Sequence, residues 1–371
     1  MPGPPGNPRL IRMAGRRPIP SMQKSSVDII AHLTRALAQD FLLQPLEASD
    51  RPVFLAVAWP VHEEVTGRKP RLPAGRGLTP QQALVAAGAE ALELRASLAQ
   101  NHLKTLADLP RRNGLAMVAG RDLQAGHEVL LPAQEVWLDA AFVLGERLVC
   151  DAGSTGCAAG RTRLEASETA LWECIERDAL ALWWHGGLPA RSLPLEEIDH
   201  LKPRLFWWLD GRDRVTRLLD LTTDIGLPVV AAVSSDAGGR NVALGSAARP
   251  RIADAALTAV TEMIQTEVAT EVALENGDPE VLRWVAEAST ELQPQFQPVE
   301  GGRPGPPDDL LRRLADLGHA ALAFDLTLPA DPLPSMRVLV PGLCAMGGRL
   351  DTPRFRRLCP SNPSPSYPEP Y

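Results

Sequence analysis

The stretch from Ser154 to Trp184, STGCAAGRTRLEASETALWECIERDALALWW, changes character twice. Small residues with glycines at Gly156 and Gly160 come first. Acids follow at Glu165, Glu168, Glu173 and Glu176, and bulky apolar side chains close the run at Trp183-Trp184. Thr162-Arg163-Leu164-Glu165 has the form of a capping box, which predicts a helix from about 163 to 184. At about 100° per residue, Glu173 and Glu176 share a face with Glu165, Thr169 and Leu180. Glu168 points about 80° away from Glu176 and is expected in solvent.

Two more helices repeat part of this pattern. Thr79-Pro80, an N-cap followed by a first-turn proline, predicts a helix over about 80–97 that carries Glu90-x-x-Glu93. A third, over 251–275, carries Glu262-x-x-Gln265. Each is alanine-rich and is entered through a glycine-containing turn. A spacing of three sets two side chains on one face, roughly 5–6 Å apart at Cβ. Such glutamate pairs are usually solvated. Three in like settings point further, because a self-repelling cluster of carboxylates makes sense around a hard divalent cation. Mg²⁺ takes few carboxylates, several waters and substrate phosphates, which implies a nucleotide. The usual nucleotide loops, G-x-x-x-x-G-K-[ST] after a strand, G-x-G-x-x-G and the kinase catalytic loop, are absent from the sequence. Any nucleotide site is therefore non-standard.

Composition narrows the class. The chain has 371 residues with 45% hydrophobic content, enough for a large core, and a net charge of −7 that argues against nucleic acid or an anionic membrane as partner. The 5 cysteines, Cys150, Cys157, Cys174, Cys344 and Cys359, show neither a Cys-x-x-Cys pair nor a zinc spacing, so the reducing cytoplasm is the expected compartment. The N-terminus lacks the apolar core of a secretory signal, and no run reaches the roughly 20 apolar residues of a membrane span.

Strand-like runs occur at VFLAVAWPV (53–61), HEVLLPAQEVWL (127–138), ERLVCDA (146–152), LPVVAAVSS (227–235) with its hairpin partner NVALGSAA (241–248), and MRVLVPGL (336–343). The glycines and prolines of LPAGRGLTP (72–80) predict a loop. The expected fold class is α/β in the broad, α+β sense. Residues 1–22 are expected as a flexible tail, with Met13 and Met22 as alternative starts. A single domain over 23–350 follows, with 277–308 as a loop or insertion and 351–371 as a proline-rich tail.

The run S-T-G-C-A-A-G-R-T, followed by Glu165, Glu173 and Glu176-Arg177-Asp178, resembles the signature of the YcaO family. GRGLTPQQALVAAGAEALE, AALTAVTEMIQ and RVLVPGL resemble three further family stretches, so the likeness runs in order over about residues 50–350. It implies a mixed, largely antiparallel sheet packed by helices, with ATP and Mg²⁺ held by Glu-x-x-Glu pairs. Carried over by position, Glu90, Glu93, Glu173 and Glu176 are the implied metal ligands. Arg76 and Arg177 face phosphates, and Ser154, Glu165, Glu262 and Gln265 contact nucleotide or the metal's shell. Departures stand at Ala86 for a serine, Leu94 for an arginine, Thr155 for an asparagine and Thr258 for an arginine. Arg95 lies one step late and is turned by about 100°.

The resemblance implies ATP-dependent activation of a backbone amide, as in the stand-alone YcaO cyclodehydratases. Cys, Ser or Thr of a ribosomal precursor peptide would close to azolines, as in thiazole/oxazole-modified peptides of the RiPP class. A thioamide- or amidine-forming enzyme and a non-catalytic scaffold are the alternatives. Azoline-forming members resemble one another in a Pro-x-Pro-x-Pro ending, which assigns catalytic roles to Pro363 and Pro365 in a degenerate version here. At this length a leader-binding domain within the chain is not expected. The expected partners are the precursor peptide and a separate ubiquitin-activating-like or winged-helix recognition protein, with a flavin-dependent dehydrogenase and a homodimer admitted. Cys150, Cys157 and Cys174 are expected to be inert, His185 to be a helix-end residue rather than a base, and Trp183, Trp184, Trp207 and Trp208 to be core or rim aromatics.

Overall fold

The computed structural model describes residues 26–46, 51–302, 304–346 and 350–360. Helix α1 (Ser26–Leu37) leads into an antiparallel sheet of β1 (Phe41–Leu46), β2 (Phe54–Pro60) and β3 (Ala74–Gly77), and α2 (Pro80–Ser97) lies on it. The expected loop at LPAGRGLTP is thus partly strand. A Cβ at Gly75 would sit 2.1 Å from the Ala87 nitrogen and 2.4 Å from the Ala83 oxygen, so glycine is what lets the α2 backbone press directly on β3.

Short helices α3 (Leu103–Ala107), α4 (Ala133–Val136) and α5 (Ala140–Leu144) surround β4 (Arg111–Arg112), β5 (Leu115–Asp122) and β6 (Glu128–Pro132), after which β7 (Cys157–Ala159) opens α6 (Arg163–Trp184). A second sheet, in the order β11-β10-β9-β8, comprises β8 (Arg191–Leu193), β9 (Val215–Asp220), β10 (Val229–Ser235) and β11 (Ala243–Ala248), with α7 (Pro203–Asp210) ahead of β9. Helices α8 (Ile252–Glu275), α9 (Pro279–Glu287) and α10 (Leu310–Asp316) precede β12 (Leu322–Asp325) and β13 (Ser335–Leu339), which insert between β5 and β7 to complete the third sheet. Helix α11 (Pro353–Leu358) ends the described chain.

Among the described residues every ladder between these strands is antiparallel; parallel pairing is confined to the isolated bridges Leu98–Leu138 and Arg191–Val299. Three helices join the sheets into a ring. Helix α2 touches β3, β7 and β13; α6 touches β7, β13 and β11; α8 touches β11, β10 and β3. No described helix is long and apolar enough to cross a membrane.

The strand reading of 146–152 fails for a specific reason. Buried Gln134 takes the place of a neighbouring strand, donating to the Arg147 carbonyl at 3.0 Å and accepting from the Val149 N–H at 2.9 Å. The run at 127–138 is a strand only to Pro132, where α4 begins. FLLQPL, with a proline near its end, gave no strand signal, yet it forms β1.

The expectation of a loop or insertion at 277–308 is corrected in its first part. Helix α9 buries Trp284, and Phe296 follows it into the core. These rings meet Trp183 and Trp184 at the end of α6, with centroids of Trp184 and Trp284 5.9 Å apart and of Trp184 and Phe296 5.6 Å apart. The Trp183 indole donates to the Gln295 carbonyl at 2.8 Å, and the Gln295 amide donates to the Trp184 carbonyl at 3.1 Å. Aromatic burial, with the Trp183 and Trp284 indoles hydrogen-bonded, outweighs the loop-like composition. Trp207 by contrast is 65% exposed. The expected proline-rich tail from 351 is likewise helical over Pro353–Leu358, and Arg354 ties it down through buried Asp178 (2.9 Å) and Asp224 (2.7 Å). Residues 1–25 and 361–371, including most of both expected tails, lie outside the described residues.

Candidate active site

The three glutamate-bearing helices converge because each follows a strand or turn in which glycine removes a Cβ from the contact. Gly75 does this for α2. At Gly245 of β11 a Cβ would lie 2.2 Å from the Met263 nitrogen of α8, and at Gly160 it would lie 2.6 Å from the Ala166 nitrogen of α6. The convergence encloses a cavity of about 520 Å³ lined by Glu90 and Glu93 of α2, Glu173 and Glu176 of α6 and Glu262 of α8, with Arg76 of β3 and Arg177. A smaller cavity of about 230 Å³ shares Arg76, Glu90 and Glu262 and adds Gln265.

Two expected site residues stand apart. Ser154 is exposed, and neither cavity includes it or Glu165 in its lining. Thr162 caps α6 by accepting the Glu165 N–H at 3.1 Å, but the Glu165 carboxylate turns to Arg161 at 3.1 Å, so only half of the capping box forms. Pro363 and Pro365 lie outside the described residues.

The carboxylates are held very differently. Glu176 is 7% exposed and accepts the Ser246 hydroxyl at 2.7 Å and the Ala248 N–H at 3.2 Å. Glu173 accepts the Gly156 N–H at 3.2 Å and lies 3.7 Å from Arg177. Gly156 has φ 82°, and a Cβ there would meet the Val338 oxygen at 2.1 Å, so this donor requires glycine. Glu262 accepts Arg76 at 2.8 Å, and Arg76 also donates to the Gln265 side-chain oxygen at 3.0 Å. Among the described residues, Glu90 and Glu93 have no hydrogen bond or ion pair at all.

The electrostatics follow from this crowding. Burial pushes the Glu173 carboxyl up to about 7 against the pull of Arg177. Burial, and then repulsion from Glu90 and Glu173, raises Glu93 well above the usual carboxylate range. Glu90 and Glu262 are raised by burial and drawn back by Arg76. Glu90 is exposed and lines both cavities. Burial pushes the Cys157 thiol to about 12 and also raises Cys174, which removes thiolate chemistry from the cavity wall. No histidine lines either cavity.

Hard oxygen donors in excess of nearby cations suit a hard divalent ion, and guanidinium groups beside them suit a polyanion. The residues therefore fit Mg²⁺ with a nucleoside triphosphate. Among the described residues no three His, Cys, Asp or Glu side chains form a metal-holding cluster from protein alone.

The departures in the first motif also acquire places. Leu94 is buried in the core, while Arg95 turns from the cavity to pair with Asp40 at 2.9 Å and with Asp331. Ala86 and Thr258 both line the large cavity. Sequence reasoning missed Ser246 and Arg249, which line it from the end of β11, and Arg337, 3% exposed behind Cys157 with its Nη1 3.5 Å from the thiol sulfur. The adjacency of ALGSAAR to the Glu262 helix was the available signal for the first two.

The family description "YcaO cyclodehydratase, ATP- and Mg²⁺-binding" matches residues 99–344, and the chain belongs to the YcaO family. It is 31% identical over 261 residues to an uncharacterized protein in the tfuA 3′ region of Rhizobium leguminosarum bv. trifolii, covering 61% of this chain and 60% of that one. Among solved structures it is similar to a heterocyclase in complex with substrate and cofactor, with TM-score 0.75, 19% identity, 93% of this chain and 57% of the other. YcaO from Methanopyrus kandleri bound with AMPPCP and Mg²⁺ gives TM-score 0.62, 23% identity and coverage of 87% and 91%. The Escherichia coli microcin synthetase McbBCD complex with pro-MccB17 bound gives 0.59, 13%, 80% and 86%. At these identities the structural likeness shows the fold. The chain spans about three fifths of the curated relative (60%) and of the heterocyclase (57%).

Proposed function

We propose that this cavity binds ATP and Mg²⁺ to activate a peptide backbone amide, and that Cys, Ser or Thr residues of a precursor peptide are cyclodehydrated to azolines. The observation that carries the reading is the convergence of Glu90, Glu93, Glu173, Glu176 and Glu262 with Arg76 and Arg177 on one cavity of a YcaO fold. Glu90 and Glu93 offer free carboxylates to Mg²⁺, and Glu173 and Glu176 complete the cage from α6. Arg177 takes phosphate oxygens, and Arg76 is aimed at them by Glu262 and Gln265. ATP, when bound, supplies the phosphoryl group that turns the amide oxygen into a leaving phosphate. The protein's part is positioning and charge neutralisation, with no side-chain nucleophile of its own.

The bound substrate and the pro-MccB17 complex described for its structural relatives support a peptide substrate brought by a partner protein. The test combines the protein with Mg²⁺, ATP, a Cys/Ser/Thr-rich precursor and its recognition partner. Phosphate release with loss of one water per ring is expected. Phosphate release with sulfur in place of oxygen would replace the azoline by a thioamide, and no phosphate release with any partner would leave a scaffold.

A further inference from the structure

Arg249 is the cavity arginine without a carboxylate. Arg76 pairs with Glu262 at 2.8 Å, and Arg177 lies 3.7 Å from Glu173. Arg249, in the turn between β11 and α8, lines the same cavity. Among the described residues its guanidinium donates only to the carbonyl of its neighbour Ala248, at 2.7 Å, and lies over the Trp172 ring at 5.7 Å. The nearby carboxylates are already engaged: Glu176 by Ser246 and Ala248, Glu262 by Arg76, and Asp254 by Arg251 at 2.6 Å.

The root of this side chain is fixed, and its tip is held by one neutral carbonyl. The Arg249 N–H donates to the Pro228 carbonyl at 3.0 Å, which locks its backbone to the β10–β11 hairpin. A guanidinium carries five donors in a planar fork, and here most of them have no protein acceptor. A half-buried cation left this way can take an anion from outside the chain.

We propose that Arg249 grips phosphate oxygens of the polyphosphate bound in this cavity, swinging from the Ala248 carbonyl and the Trp172 face to do so. The assignment rests on the reading of the cavity as an ATP site. It makes α8's approach turn, and not only its helix, part of phosphate recognition. It also fills with a residue from a different element the side of the cavity where Thr258 offers only a hydroxyl, itself spent on the Asp254 carbonyl at 2.9 Å.

Isothermal titration of the full chain with Mg²⁺-ATP and with Mg²⁺-tripolyphosphate tests it, using wild type, Arg249→Met and Arg249→Lys. The Met variant is expected to weaken both ligands about 10- to 100-fold, the scale of a lost charge-assisted hydrogen bond. The Lys variant is expected between the two, because a point charge lacks the planar fork. Quenching or release of Trp172 emission on ligand addition, read as the difference between wild type and Trp172→Phe, is expected in the Arg249 protein and absent from the Met variant. Circular dichroism confirms folding, and Arg249→Gln supplies the same comparison if the Met variant does not fold. Variants that bind both ligands within twofold of wild type overturn the role of Arg249 and leave the ATP reading intact. A wild type that binds neither ligand overturns both.

Discussion

The arms on α2 and α6 carry the same Glu-x-x-Glu spacing and face the same cavity, yet the protein treats them in opposite ways. On α6, Glu176 is tied to Ser246 and Ala248, and Glu173 to Gly156 and Arg177. On α2, Glu90 and Glu93 are tied to nothing among the described residues, and Glu93 is further pressed by Glu90 and Glu173. One arm is preorganised by strands from elsewhere in the fold. The other holds unspent repulsion that a proton or a cation can relieve. Identical spacing therefore marks both pairs as candidates, while their neighbours decide which is scaffold and which is open valence.

Removing either arm should be felt first in turnover. Glu93→Ala and Glu173→Ala are each expected to lower ATP-dependent phosphate release by about 100-fold or more. Activity near wild type in the α2 variant would break the comparison at its free end. Stability should then separate the arms. Glu176→Ala strands a buried hydroxyl and a backbone N–H and is expected to cost about 1–3 kcal/mol in denaturant unfolding. Glu93→Gln removes a repelled carboxyl and should raise the melting temperature of the metal-free protein.

The pH dependence of that metal-free protein sharpens the same contrast. Glu173 keeps its proton up to about 7 when folded, against an ordinary value of 4.5. Between those limits the folded state binds more protons than the unfolded chain, so stability falls as pH rises from about 4.5 to about 7. Saturating Mg²⁺ selects the ionised form and should flatten or reverse the slope. Melting curves across this range with and without Mg²⁺ check it; a flat metal-free profile would overturn the burial-raised Glu173 carboxyl. The smallest effect belongs to the cap of α6: Thr162→Ala loses the bond to the Glu165 N–H and is expected to cost about 1 kcal/mol by the same unfolding measurement.

Helix bounds at the site were legible in the sequence because their signals are local. Thr79-Pro80 and Thr162 mark helix starts by chemistry within a few residues, and α2 and α6 begin there. The β10–β11 hairpin was legible for the same reason. What escaped depended on distant partners. Gln134 replaced a strand neighbour at 147–149, and Trp284 made core of a segment that reads as loop. The LPAGRGLTP turn hid β3 because its glycines serve helix contact rather than chain reversal. At the site, spacing found the carboxylates but not their engagement, since Ser246, Ala248 and Gly156 come from other elements. Ser154 and Glu165 show the converse: a residue inside a motif is not thereby inside the cavity.

The buried pair of Asp178 and Arg354 joins residues 176 positions apart and leaves both side chains almost wholly without solvent, at 0% and 1% exposure. Asp178 stands on α6 two residues after Glu176, so the helix that bears half the cage keeps an interior charge met only by the Cys344 N–H until Arg354 arrives. As the chain leaves the ribosome, Arg354 emerges long after every cavity residue has been made. A polypeptide interrupted before that point would carry all the cavity's carboxylates and still lack the counter-charge that seats their helix. The chain must therefore be made at least as far as Arg354 before α6 gains its buried counter-charge.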